Sequence, residues 1–225
     1  MSRFLSYTFP AGNTQDVCLT QSLVGAGNLT INGNLATPVN NTVSFLKLGY
    51  IRQVSITSAN DLSGVTFTIN GIQNGLSITE NIAGPNNTTV YGALAYDSIT
   101  SISANNAAAV VSVGTGWAGF FPLIGINLDR DVINYTLTIA AGSAGNSIPF
   151  ALFGTIANIV NNGHTYTDII TNNQNIFSLR AIATGNNYIH STNTGTVAIY
   201  SSLLVQLGAA AGTIANSMTL NFIQT

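Results

Sequence analysis

The chain has 225 residues, 46% of them hydrophobic and 5% charged, with a formal net charge of -2, whereas an ordinary soluble protein carries about 25% charged residues. Its five basic residues are scattered without a run, which excludes the basic patch that phosphate neutralisation requires and with it nucleic acid as a partner. A lone cysteine, Cys18, excludes an internal disulfide, and the length suits one large domain or two modest ones.

In chain order, the opening "MSRFLSYTFPAGN" lacks the continuous apolar core of a secretory leader. Residues 1–42 read as an N-terminal extended segment that either pairs with the β-domain after it or reaches a neighbour. Within it Cys18, in "DVCLTQSLV", reads as a small buried hydrophobe and not as a nucleophile. A first β-domain is predicted over residues 43–121. "IRQVSIT" (Ile51 to Thr57), "GVTFTIN" (Gly64 to Asn70), "GLSITENI" (Gly75 to Ile82) and "DSITSIS" (Asp97 to Ser103) alternate apolar and polar side chains with the period of a half-buried strand. Val65, Phe67 and Ile69 fall on one face, with Thr66, Thr68 and Asn70 on the other. Asn70-Gly71 and Asn74-Gly75 suit the positive φ angles of tight hairpins.

The charge-free run from Ala107 to Ile126 is about as long as a membrane-spanning helix needs. Glycines, Ser112, Thr115 and Pro122 interrupt it, so it reads instead as a strand around Val110 to Val113, a Gly-rich turn and a second extended stretch. A second β-domain is predicted over 122–225, with strands at Val132 to Ala140, Ile148 to Gly154, His164 to Ile170, Ser178 to Thr184, Thr196 to Gln206 and Thr213 to Ile223. No stretch shows a helical apolar stripe. The expected fold class is all-β, with two antiparallel β-sandwich or barrel-like domains in tandem.

Chemistry-bearing residues are few. His164 and Asp168 share a strand face by their even spacing, but one His and one Asp fall short of the three or four ligands zinc takes. His190 reads as a hydrogen-bonding loop residue. Asp129 and Asp131 flank Arg130 in a self-neutralised turn, without the six to eight oxygens that calcium takes. No G-x-S-x-G elbow is present and no acid pair sits in a recognisable motif. The chain is therefore expected to be no enzyme, with no catalytic, cofactor or metal site. Trp117, Tyr91 and Tyr96 offer either a sugar-stacking platform or aromatic packing at a core edge or protein interface.

The string "RQVSITSANDLSGVTFTINGIQNGLSITENIAGP", followed by "YDSITSISANNAAAVVSVGTG", resembles a motif of structural proteins from tailed bacteriophages and prophages. There a strand ending in "ITSA" precedes "SGVTFTI", a hairpin, a strand of the type "SETVTGP", then "VTSISA" and "VSVGTG". Residues 51–116 follow that order, and "INYTLTIA", "LRAIATGNN", "NTGTVAIY" and the terminal "TLNFIQT" are similar to the second half of those proteins. One departure lies in the hairpin, where "NGIQNG" replaces "GTDxNG" and loses its acidic residue. The resemblance implies a non-enzymatic virion component assembled in the host cytoplasm. A head decoration or minor capsid (cement) protein is the expected role. Its expected partners are the major capsid protein or other virion subunits and further copies of itself, with no membrane. The alternative is a tail-associated, carbohydrate-binding adhesin or fibre component.

Overall fold

A computed structural model describes residues 3–37, 42–45, 51–73, 75–123, 133–140, 146–155, 174–183, 186–193, 202–207 and 218–224. The described residues are all-β, and every strand pair with a described register is antiparallel. They form two compact units, residues 12–119 and residues 1–11 with 120–225.

In the unit of residues 12–119, one sheet runs β4 (Ala36–Thr37), β5 (Thr42–Ser44), β10 (Ser98–Ala104), β7 (Thr66–Gln73), β8 (Leu76–Ala83), with β3 (Gly27–Asn28) also beside β10. A second set of neighbours runs β2 (Cys18–Leu23), β11 (Ala108–Leu123), β6 (Ile51–Asp61), β9 (Asn86–Tyr96). Alternation in β7 works as its sequence predicts: Phe67 and Ile69 are fully buried, while Thr66, Thr68 and Asn70 are half-buried on the other face. Val54 and Ile56 of β6, Ile99 and Ile102 of β10, and Val111 and Val113 of β11 complete the core. Each fully buried aliphatic side chain of this kind contributes about 1.5–3 kcal/mol. The Tyr96 ring of β9 lies over Gly71 of β7, where a Cβ would come within 2.6 Å of its Cδ1.

That contact corrects one expectation. Asn70-Gly71 is no turn but part of β7, and Gly71 is there to admit the ring. Of the other pair, Asn74 lies outside the described residues, while Gly75 has φ +75° beside the paired Gln73 and Leu76. The Gly-rich turn expected after Val113 is likewise absent, because β11 runs on through Gly114, Gly116 and Gly119. These glycines mark close approaches: a Cβ at Gly114 would strike the Asn13 carbonyl, one at Gly119 the Ile51 carbonyl, and one at Gly116 would lie 2.5 Å from Gln53 Oε1. The candidate spanning run is thus strand through Leu123, and no helix of the described residues is long and apolar enough to cross a membrane.

Residues 12–37 of the N-terminal segment belong to this unit. β2 pairs with β11, placing Cys18 opposite Val113, and Val17, Cys18, Leu29 and Ile31 are all buried in the same unit. Short strands separated by polar turns hide that burial from a periodicity reading. Residues 1–11 group instead with 120–225, where a sheet runs β1 (Arg3–Phe9), β17 (Met218–Gln224), β12 (Ile133–Ala140), β15 (Asn186–Asn193). β1 pairs with β17 along its length, from Arg3↔Gln224 to Phe9↔Met218. β13 (Asn146–Thr155) pairs with β14 (Gln174–Ala183) on one side and β16 (Ser202–Leu207) on the other. The predicted boundary at Pro122 falls inside β11, and the units divide between Gly119 and Phe120. The strand expected at His164 to Ile170 lies outside the described residues.

Candidate functional site

Three polar arrangements stand out in residues 12–119. The first is the outer face of β10, β7 and β8. Ser101 stands opposite Asn70, and Asn70 opposite Thr79. Asn70 Nδ2 donates to Ser101 Oγ at 3.0 Å, and Thr79 Oγ1 donates to Asn70 Oδ1 at 2.8 Å, so three strands share one side-chain row. In the next row Thr68 Oγ1 donates to Asn81 Oδ1 at 2.8 Å, with Ser103 opposite Thr68. From Thr66 to Ala83 the outward positions of β7 and β8 carry no charge. Neutral amides and hydroxyls, mutually hydrogen-bonded, take the place that ionic side chains usually fill on a strand surface.

The second arrangement is buried. Arg52 of β6, 1% exposed, donates from a guanidinium nitrogen to Thr115 Oγ1 at 3.3 Å, and Thr115 Oγ1 donates to Asp16 Oδ2 at 2.6 Å. Asp16 also accepts from the Asn13 backbone N–H at 3.3 Å. Two positions along β11 from Thr115, and hence on the same face, the Trp117 ring lies 5.9 Å from the guanidinium carbon, within cation–π range. The hydroxyl links two buried charged side chains, a geometry that fixes the position of β6 against β11 and the loop at Asp16.

The third lies where β6 and β9 fall out of register, between Gln53↔Ala95 and Ser55↔Tyr91. Gly92, Ala93 and Leu94 of β9 therefore face Val54 alone, and their backbone groups leave the ladder. Side chains satisfy them. Gln53 Nε2 donates to the Gly92 carbonyl at 2.9 Å, and Glu80 Oε1 of β8 accepts from Ala93 N–H at 2.5 Å and Leu94 N–H at 3.4 Å. Glu80 Oε2 accepts from the Tyr96 hydroxyl at 3.0 Å. Burial pushes the Tyr96 phenol well above its ordinary pKa, and the neighbouring Glu80 carboxylate adds to the rise. Gln53 Oε1 accepts from Ala118 N–H at 3.0 Å, so one buried amide ties β9 to β11.

The predicted candidates are dispersed by this structure. Trp117 and Tyr96 are buried, at 7% and 0% exposure, and Tyr91 alone of the three is exposed. They make no open stacking platform; Trp117 and Tyr96 serve the core, as the packing alternative holds. Cys18 is fully buried, and burial pushes its thiol up to about 12. His190 stands in β15 opposite Thr136, in a strand and not in the expected loop. His164, Asp168, Asp129, Arg130 and Asp131 lie outside the described residues. Among the described residues no group of three or more His, Cys, Asp or Glu is placed to hold a metal ion. Sequence reading missed Glu80 and Gln53, whose role depends on a bulge in β9. Gly92 beside the polar run "NNTTVY" was the available signal.

No protein-family model matches the chain, and no curated protein matches it. Among solved structures the chain is similar to the N-terminal CBM22-1-CBM22-2 tandem domain from Paenibacillus barcinonensis Xyn10C, at 8% identity over 98% of this chain and 97% of that one, with a TM-score of 0.27. A likeness of that size assigns no function.

Proposed function

We propose that the chain is a non-catalytic structural component of a tailed-phage particle, a head decoration or cement protein whose β-units pack against capsid subunits. The observation that carries the reading is the outer face of β10, β7 and β8. Its amides and hydroxyls already hydrogen-bond in rows, Ser101–Asn70–Thr79 and Thr68–Asn81. Burying such a face against a neighbour strips water from no ion, and the row contacts survive the burial. The resemblance of residues 51–116 to tailed-phage structural proteins supports a virion component, and the capsid shell is the partner proposed for this face.

Quantitative mass spectrometry of purified particles tests the proposal. A decoration protein is present at a copy number commensurate with the major capsid protein. A handful of copies, together with binding to host glycans, overturns it in favour of the adhesin. Retention through a salt wash gives a second prediction. Screening shortens the reach of exposed charges to about 3 Å at 1 M salt and spares apolar and neutral contacts. The protein is expected to sediment with its particle from low salt through 1 M. Quantitative release would place the attachment on a few charges instead.

A further inference from the structure

The donors that hold Glu80 owe nothing to the strand that bears it. Ala93 N–H and Leu94 N–H come from the bulge of β9, and the hydroxyl comes from Tyr96, a fully buried ring at the end of the same strand, paired with Arg52. β8 contributes only the carboxylate. The space is set by β9 as well: a Cβ at Gly92 would lie 2.6 Å from Glu80 Oε2, so the missing side chain makes the room that the carboxylate fills. Two backbone N–H groups and a phenol that converge on one carboxylate form a charge-assisted anion receptor.

We infer that the β9 bulge is a carboxylate-binding site in its own right, filled in the resting protein by the chain's own Glu80. The site opens to the surface. β8 and β9 each end their row of strands, Tyr91 and Ala93 are exposed, and Glu80 itself is half-exposed. When Glu80 swings outward, a carboxylate from another molecule meets the same three donors. The ligand class is a single carboxylate, carried by an acidic side chain or by a chain terminus.

The test uses the whole chain with Glu80→Ala and sodium formate as the probe, against sodium chloride at equal ionic strength. Formate is expected to shift the Ala93 and Leu94 amide resonances saturably. It should also raise the melting temperature of the variant as the logarithm of one plus its concentration over Kd. Wild type and Glu80→Gln, whose side chains still fill the space, should not respond. Adding Tyr96→Phe to Glu80→Ala should weaken formate binding by about tenfold, the loss of one hydrogen bond to a charged group. If Glu80→Ala does not fold in chloride, its refolding in formate becomes the readout. Two capped peptides, one with an internal glutamate and one with a free C-terminus, then separate the two sources of the carboxylate. Identical Ala93 and Leu94 resonances in formate and chloride, or a variant that folds in neither, would overturn the proposal.

Discussion

Raising the pH should destabilise residues 12–119 through a thiol. Cys18 is fully buried opposite Val113, and its pKa rises from 9.0 to about 12 because burial disfavours the thiolate. Between those values the unfolded chain has released the proton and the folded chain keeps it. The unfolded state then binds fewer protons, so stability falls as pH rises. The slope approaches about 1.4 kcal/mol per pH unit, which integrates to about 1.4 kcal/mol between pH 8 and pH 10 and about 4 kcal/mol over the whole window. Stability is fully present below pH 9 and lost toward pH 12, and Tyr96, whose phenol is also pushed up, extends the loss above pH 10. Urea unfolding under reducing conditions at pH 8, 9 and 10, followed by fluorescence of the single tryptophan, Trp117, measures the effect. Cys18→Ala should remove most of the loss between pH 8 and 10, whatever its own stability at pH 7. An equal fall in the variant and the wild type would show that the thiol contributes nothing and that the reasoning from burial is wrong.

Phe67→Ala should cost about 3–5 kcal/mol, since the ring is fully buried, and Thr66→Ala far less; equal shifts in urea midpoint would contradict the register of β7. Thr115→Val should cost about 1–3 kcal/mol by removing the hydroxyl between Arg52 and Asp16, a loss readable in the same unfolding assay and expected to exceed that of Thr79→Val on the exposed face. Gly92→Ala forces its Cβ onto the Glu80 carboxylate, so its cost should shrink in a Glu80→Ala background; a double-mutant cycle with strictly additive costs would mean that the two residues do not share the site.

The strands were legible in the sequence wherever the pleat alone decided burial. Val65, Phe67 and Ile69 are buried and their threonine neighbours face outward, and "GLSITENI" and "DSITSIS" fall within one residue of β8 and β10. β9 escaped because its bulge breaks the period: Gly92 is buried, Ala93 exposed, Leu94 half-buried and Ala95 buried. β11 was cut short for the opposite reason. Glycine there serves close approach to Asn13, Gln53 and Ile51, a tertiary cause that resembles a turn in a one-dimensional reading. Glu80 and Gln53 were invisible as a pair because they act on backbone groups 13 and 39 residues away, across strands whose register was not yet known. The aromatic platform failed on burial: the Tyr96 hydroxyl finds Glu80 inside the fold and the Trp117 ring lies beside the Arg52 guanidinium, and composition does not reveal that.

Residues 12–119 form one unbroken stretch, whereas β1 pairs with β17, almost the whole chain away. During synthesis the inner stretch can close its own sheets while the rest is still being made, but β1 stands ready long before β17 exists. A pairing of such sequence separation is slow to form and leaves a strand edge open in the interval. Any other copy that offers its β17 first can capture that edge and give an exchanged pair with the same registers. The concentration of nascent chains, and not the stability of the finished fold, then decides whether each β1 finds the strand of its own chain or of a neighbour's.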